Sequence, residues 1–544
     1  MRAIDLYAGI GGWSLGLKLA GVDVVASYEW WQPAIDTHNA NLGGALQPVD
    51  IRKLRLEDLP DNIDLVVGSP PCTEFSYSNR GGSGNIAEGL KDLVKFFEVV
   101  DHLKPRFWAM ENVPRVAEVI RHGMREPGHA LYRFRHLAPN VDVFDFSDYG
   151  APQARKRCIV TNLSLGLLTE YKAQIERRTL GDVVRGLASA TMVTDPVWGT
   201  TLPVTDLSET QAEPALNSEE LRMNRESKEH HPVYNNMAFP DPLDRAARTV
   251  TATCTRVSRE SIVINDPKRP GDFRRLTIRE RASLQGFPIT YQFFARSFSE
   301  KAKMIGNAIP PTFTYLVALA ARGSRAGGFR GFEAAEKQLT LPTAKAPVTP
   351  PDSEGKTYPA KRAFRAALPG LRFKSGMRFD LSNAFSDGVP QWAVRFYFGP
   401  SKDIRQIELD GSITRELSDN PWIAGLLAGL RGEFALAEGF LESTTVLGLQ
   451  LAWTRRAEGV GPYDVTDKLG ALAEELHSRM EAELDEQGRK LVAKYIVAVA
   501  GGSAGDRKPV GRMKLERYAV RVLAGIIIGE WFNSLEWHFE RRKA

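Results

Sequence analysis

The chain has 544 residues, 43% hydrophobic and 25% charged, which excludes a disordered chain and exceeds one ordinary core, so two or three domains are expected. The formal charge of +5 permits a polyanionic partner without demanding one, because a basic cleft can sit inside a nearly neutral total. Three cysteines, Cys72, Cys158 and Cys254, lie far apart with no CxxC pair, which excludes a disulfide framework and a cysteine-rich zinc site.

In chain order, "AIDLYAG" reads as a short apolar strand, "GGWSLGLKLAG" as a helix ending on Gly21, and "VDVVASYE" as a second strand. "AIDTHNANLG" is a helix, and "NIDLVVGSPP" a strand that runs into Cys72. "LKDLVKFFEVVDHLKP" is a longer helix and "RFWAMENV" a further strand. Strands separated by helices predict an α/β domain with a mainly parallel sheet covered on both faces. Ligands in such sheets bind at the carboxyl ends of the strands. Asp5 to Gly12, Glu29, Asp50, Cys72 and Glu111 all fall at or just past such ends.

The turn "DLYAGIGG" (5–12) lets backbone N–H groups approach a ligand at a helix N-terminus. Its spacing is not GxGxxG, so a dinucleotide is not its natural guest, and alone it is as readily a structural turn. Glu29, closing the second strand, is a carboxylate suited to both ribose hydroxyls, and Trp30 suits a purine face, so a nucleoside cofactor is the better reading. Cys72 taken alone reads as packing, since free cysteine is among the most buried residue types. Against that, "PPC" fixes it at a strand end, Glu111 ends another strand, and Arg155 and Arg157 of "QARKR" (153–157) point the same way on an extended segment.

Together these segments resemble, in order, the DNA (cytosine-5)-methyltransferase family. "DLYAGIGG", with Asp5, Tyr7, Gly9, Gly11 and Gly12, is similar to its S-adenosylmethionine motif. "YEW" (28–30), with Glu29 and Trp30, and "VDI" (49–51), with Asp50 and Ile51, resemble the next cofactor contacts. "GSPPCTEFS" (68–76), with Pro71 and Cys72, resembles the nucleophile motif, "ENV" the acid motif and "QARKR" the paired-arginine motif. "RRLTIRERASLQGFP" (274–288) resembles the long helix that closes the domain, and "GNAIPP" (306–311), with Asn307, the motif that returns to the cofactor pocket. The resemblance covers roughly 1–325.

It implies a Rossmann-like S-adenosylmethionine-dependent methyltransferase sheet with an inserted target-recognition region, and attack of Cys72 on C6 of a cytosine flipped out of duplex DNA. Glu111 would hold N3, Arg157 would hold O2, and Arg155 would support it. Loop 77–89 would close over the base, with Ser76 and Arg80 near DNA. Two positions depart from the family pattern: Thr73 replaces the usual Gln and Tyr7 the usual Phe. Neither removes the covalent chemistry.

The expected organisation is a catalytic core at 1–162 and 274–325, a recognition region at 163–273, a linker at 326–370 and a C-terminal α+β domain of unknown type at 371–544. Within the recognition region, Arg256 and Arg259 are expected at phosphate or guanine. "EHHPVY" (229–234) reads as surface, so no metal is expected, and the carboxylates of "PDSEGK" (351–356) lie too close together in a Pro-rich linker to form a nuclease site. In the C-terminal part, "WAVRFYFG" and "DIRQIELDG" read as a hairpin and two long stretches as helices, by default packed on the core. "AVRVLAGIIIGEWF" (519–532) is too short for a span and carries Arg521, so it reads as a buried helix. With no secretory apolar region at the start, a cytoplasmic protein without membrane contact is expected, monomeric on double-stranded DNA and linked to a restriction or defence component. The rival readings are a tRNA cytosine methyltransferase and a catalytically silent DNA-binding subunit.

Overall fold

The computed structural model describes residues 1–75, 84–211, 213–229, 236–350, 357–373, 377–398, 404–501 and 512–535. The chain divides into two compact units, one of Met1–Glu229 with Met237–Asp352, the other of His230–Asn236 with Ser353–Ala544.

The first unit opens with β1 (Arg2–Leu6), α1 (Gly12–Leu19), β2 (Asp23–Tyr28), α2 (Gln32–Leu42), β3 (Leu65–Gly68), α3 (Ile86–Leu103), β4 (Phe107–Asn112), α4 (Val116–Gly123), β5 (Asn140–Asp145) and β6 (Lys156–Thr161). The six strands form one sheet in the order β2-β1-β3-β4-β6-β5. Its central strands carry apolar residues on both faces because both faces are buried. Ala3, Leu65, Val67 and Ala109 point into one core, and Ile4, Leu6, Val66, Trp108 and Met110 into the other. Phe96, Phe97 and Val100 of α3 pack into that second core. Strands β2, β1, β3 and β4 are mutually parallel, whereas β6 runs antiparallel to both β4 and β5. That reversal pairs Asn112 with Cys158 and Glu111 with Ile159, so the start of β6 lies beside the carboxyl end of β4.

Beyond the sheet come short elements: α5 (Leu165–Lys172), α6 (Leu180–Gly186), β7 (Met192–Thr194), β8 (Thr201–Pro203), α7 (Ser218–Glu229), β9 (Val263–Asn265) and β10 (Phe273–Arg275). Then α8 (Ile278–Leu284), α9 (Phe298–Asn307) and α10 (Pro311–Ala321) return to the core. The long helix expected at 274–288 is only the seven residues of α8. Thr277 and Glu280 form a capping box that starts the helix after β10, and Gly286, at φ 80, lies just beyond its end. Phe298–Ala321 contains an 18-residue window apolar enough to qualify as a membrane span by composition, with mean hydropathy 1.3, yet 83% of that window is buried inside the protein.

Residues 326–350, within the expected linker, are instead built into the first unit. Phe332 and Ala335 belong to its main core, and the Phe332 ring lies 5.3 Å from Trp198. Further on, Thr349 Oγ1 donates to Glu209 Oε2 at 2.8 Å, and the Lys301 ammonium donates to both Glu209 and the Pro347 carbonyl.

The second unit holds β11 (Arg365–Arg372), β12 (Arg378–Ser386), β13 (Val389–Phe398) and β14 (Arg405–Ile407), an antiparallel sheet in that order. The expected hairpin is β13–β14, and β11 and β12 extend it. Helices α11 (Ser412–Ser418), α12 (Pro421–Gly429), α13 (Arg431–Leu441), α14 (Val446–Trp453), α15 (Pro462–Glu483), α16 (Glu486–Gly501), α17 (Arg512–Arg517) and α18 (Ala519–Ser534) follow. The second helical stretch breaks at Leu484, where the backbone turns extended. Helix α18 is buried along most of its length, as its apolar sequence requires.

Candidate active site

The chain leaves β1 through Tyr7, Gly9 and Gly11, all at positive φ (57°, 55° and 86°). Gly11 and Gly12 admit no side chain: a Cβ would lie 2.6 Å from Leu42 Cδ1 at the first and 2.2 Å from the Ile309 carbonyl oxygen at the second. This contact seats the residues after α9 on the turn. At Gly9 a Cβ would meet nothing within 4 Å, so the turn keeps one open side.

Asp5 is wholly buried beneath the turn. Its Oδ2 accepts the Ser14 N–H at 3.2 Å and the Ser14 hydroxyl at 2.6 Å, which ties β1 to the first turn of α1. Burial pushes its pKa up to about 7 against the Ser14 hydrogen bonds. Glu29 fastens the turn from the other side. Its Oε2 accepts Gly9 N–H at 2.8 Å, and its Oε1 accepts Trp30 and Trp31 N–H at 2.8 and 2.9 Å. Trp30 itself is 70% exposed at the strand end.

Asp50 accepts the Arg52 N–H at 3.1 Å, and Ile51 is buried beneath it. A network that the sequence did not suggest joins these pieces. Arg52 donates to Asp92 through Nε at 2.9 Å and Nη2 at 2.7 Å, and the Tyr7 hydroxyl donates to Asp92 at 3.3 Å. The Tyr7 departure thus has a partner on α3, and burial with Asp92 beside it pushes the phenol pKa upward. Asn307, at the end of α9, is exposed, as is Pro71. An exposed indole, a carboxylate at the strand end and an open glycine edge suit a nucleoside cofactor such as the expected S-adenosylmethionine. Asp5, Gly12 and Ile51 shape this place from behind.

The segment between β3 and Cys72 is pinned at each step. Ser69 N–H donates to the Leu6 carbonyl at 3.2 Å, Trp13 Nε1 donates to Ser69 Oγ at 3.0 Å, and Asn112 Nδ2 donates to the Pro70 carbonyl at 3.0 Å. Cys72, unlike buried Cys158 and Cys254, is partly accessible. Glu111, near the end of β4, pairs with Arg157 on the reversed β6, Nε to Oε1 at 3.1 Å, both side chains largely buried. Burial pushes the Cys72 thiol pKa up, Arg157 pulls it down, Glu111 raises it and Arg155 lowers it, so all four groups share one electrostatic neighbourhood.

Arg155 is fully buried and does not reach the cleft surface. Its Nη1 donates to the Val250 carbonyl at 3.0 Å, and its Nη2 to Gly306 and Ala308 at 2.9 and 3.1 Å. It therefore staples the start of β6 to the end of α9.

Arg256, expected at DNA, is a correction. It is buried, with Nε and Nη2 on Glu220 at 2.7 and 2.6 Å and Nη2 on the Ala215 carbonyl at 2.7 Å, so its guanidinium organises the chain before β9. Arg259 is half-buried and donates to the Ser227 carbonyl on α7 at 2.5 Å. Ser76, Arg80, most of "EHHPVY" and all of "PDSEGK" lie outside the described residues. Among the described residues no group of three or more His, Cys, Asp or Glu is arranged to hold a metal ion.

A family model described as C-5 cytosine-specific DNA methylase matches residues 1–321. The chain is 28% identical over 338 residues to the Type II methyltransferase M.NgoPII of Neisseria gonorrhoeae, covering 59% of this chain and 95% of that one. It is 26% identical over 329 residues to the Type II methyltransferase M.HgiDI of Herpetosiphon aurantiacus, covering 58% and 93%. Among solved structures it resembles the S. pombe Dnmt2 methyltransferase, with a TM-score of 0.42 at 18% identity, over 59% of this chain and 99% of that one.

Proposed function

This chain belongs to the C-5 cytosine-specific DNA methylase family, and we propose that it methylates C5 of a flipped-out cytosine in a specific duplex sequence through a covalent Cys72–C6 adduct. The observation that carries the reading is the Glu111–Arg157 pair, 3.1 Å apart, sharing the electrostatic neighbourhood of a partly accessible thiol. A core cysteine has no use for a buried acid and guanidinium beside it.

Cytosine C5 is a weak nucleophile until a thiolate adds at C6 and turns the ring into an enamine. Cys72 supplies that thiolate. Glu111 hydrogen-bonds N3 and stabilises the charge pushed into the ring, while Arg157 holds O2. Arg155 positions the strand that bears Arg157. S-adenosylmethionine, held by Glu29, Trp30, Asp50 and the open edge at Gly9, would supply the electrophilic methyl carbon. Once C5 is substituted, loss of its proton to a base expels the Cys72 sulfur and restores the aromatic ring. Cysteine and acid act on ring atoms that a stacked base hides, so the target must leave the helix.

In this reading residues 163–273 recognise the target sequence, and the protein works as a monomer on DNA in the cytoplasm. The Type II names of its relatives support a role as the modifying half of a restriction or defence system. The test is transfer of labelled methyl from S-adenosylmethionine to unmodified genomic DNA and to tRNA, with Cys72→Ala alongside. The expected result is 5-methylcytosine in DNA, with no transfer by the variant. Transfer to tRNA alone, or transfer that survives Cys72→Ala, would overturn it.

A further inference from the structure

The sheet of the second unit has two unlike faces. On one, Phe379, Leu381, Val394, Phe396 and Phe398 are buried. Helix α18 lies against them through glycines: a Cβ at Gly525 would lie 2.5 Å from the Phe379 ring, and one at Gly529 would lie 3.1 Å from Val394. On the other face the strand register sets Arg365 opposite Ser382, Arg372 opposite Arg378, Arg378 opposite Tyr397 and Asp380 opposite Arg395. Of the paired residues on that face four are arginine, and the single acid is Asp380. Arg378, Asp380 and Ser382 are buried on that face, whereas Arg365 is exposed and Arg395 half-buried.

The arginines are also held in order. Asp380 Oδ2 accepts from Arg365 Nε at 2.7 Å and from Arg378 Nε at 2.8 Å. Both guanidiniums lie over the Tyr397 ring, 4.2 and 4.9 Å from its centroid. Arg395 Nη1 donates to Ser382 Oγ. The Arg365 Nη groups and Arg395 Nη2 make no hydrogen bond among the described residues, and the Arg365 side chain is 46% accessible. Guanidiniums fixed through one edge, with the other edge presented outward, match the paired oxygens of a phosphate.

We propose that this face binds the phosphate backbone of duplex DNA. The Tyr397 ring is already engaged by guanidiniums, so the face offers charge and hydrogen-bond donors, not a platform on which unpaired bases stack. That favours duplex over single strands. The choice of DNA among polyanions rests on the proposed function; the charge and geometry do not. A second phosphate-binding surface on the same chain raises affinity for any sequence without altering which sequence is read.

The experiment measures binding of the full chain to a labelled duplex by fluorescence anisotropy across a salt series, with no methyl transfer involved. In Arg365→Gln/Arg395→Gln the slope of log affinity against log salt is expected to fall by about 1.8, with affinity down roughly tenfold or more at low salt. Arg395→Lys, which keeps the charge, should retain most of the slope. Should the double variant fold poorly, Arg395→Gln alone should lose about 0.9 of slope. An unchanged slope and affinity in a variant that melts like the wild type overturns the proposal. So does weakened binding of RNA or an acidic protein with duplex binding intact. A wild-type chain that binds duplex through this face yet transfers no methyl group counts against the proposed function alone.

Discussion

Burial raises the Cys72 thiol pKa while Arg157 works against it and Glu111 with it, which fixes the sign of three pH profiles. The reactive species is the thiolate, so alkylation of Cys72 by iodoacetamide should climb with pH and level off above the ordinary thiol value near 8.5. Removing the cation in Arg157→Ala should move the inflection higher, and neutralising the acid in Glu111→Gln should move it lower. Mass spectrometry of the labelled peptide isolates Cys72 from the buried Cys158 and Cys254. An inflection below 8 in the wild type, or shifts of the same sign in both variants, would defeat this account. At the cofactor edge, Tyr7→Phe deletes one hydrogen bond to Asp92, which keeps Arg52 as its partner. The expected cost is ~1 kcal/mol in denaturant unfolding, with methyl transfer retained, because phenylalanine keeps the ring. Loss of activity without loss of stability would instead make the hydroxyl part of the chemistry.

At the scale of elements, the antiparallel β6 and the end of α9 meet through Arg155, whose guanidinium serves Val250, Gly306 and Ala308 at once. A lysine there keeps the charge but cannot span the three carbonyls. Arg155→Lys should therefore cost about 1–3 kcal/mol in urea unfolding and weaken S-adenosylmethionine binding in calorimetry, since Asn307 lies between two of the stapled carbonyls. A change within ~0.5 kcal/mol would show that the staple carries little. The alternating strands and helices up to β4 were legible because apolar runs and helical spacing report burial directly. Cys72, Glu111 and Arg157 drew attention for a different reason: Cys72 lies just past β3 and Glu111 near the end of β4, where ligands bind in such sheets, and Arg157 shares an extended segment with Arg155. The antiparallel pairing of β6 with β4 was not legible, because partners 46 to 52 residues apart leave no local mark. Nor was the fate of Arg256. An arginine in a polar stretch reads as a phosphate contact until Glu220 is seen beside it. The Asp5–Ser14 and Tyr7–Asp92 bonds were hidden in the same way, since polar side chains are coded alike whether they face water, a ligand or each other.

Across the whole molecule, composition misplaced the edge of the first unit. Pro, Ala and Lys after residue 340 describe a surface path, but the anchors are a few apolar residues before it. Phe329 and Phe332 meet edge to face at 5.3 Å, and Phe332 also meets Trp198 at 5.3 Å, within the core that supports α10. A side chain at Gly150 would lie 2.3 Å from the Phe332 ring, so the two surfaces are fitted to each other. Cutting the chain at 325, where the family resemblance ends, removes this plug and exposes Trp198 and its neighbours. Cutting at 352 keeps it, together with the Glu209 bonds to Lys301 and Thr349. Losing one buried phenylalanine costs about 3–5 kcal/mol, and unpairing Lys301 and Glu209 from Thr349 and Pro347 adds to that loss. A 1–352 fragment is therefore expected to unfold cooperatively and to resist limited proteolysis, whereas 1–325 should melt at a lower temperature, by roughly 6–15 °C for a chain of this size if several kcal/mol are lost, or fail to fold. Equal melting temperatures for the two fragments would mean that residues 326–350 merely lie on the surface. The unit that the family motifs define by sequence would then be the unit that folds.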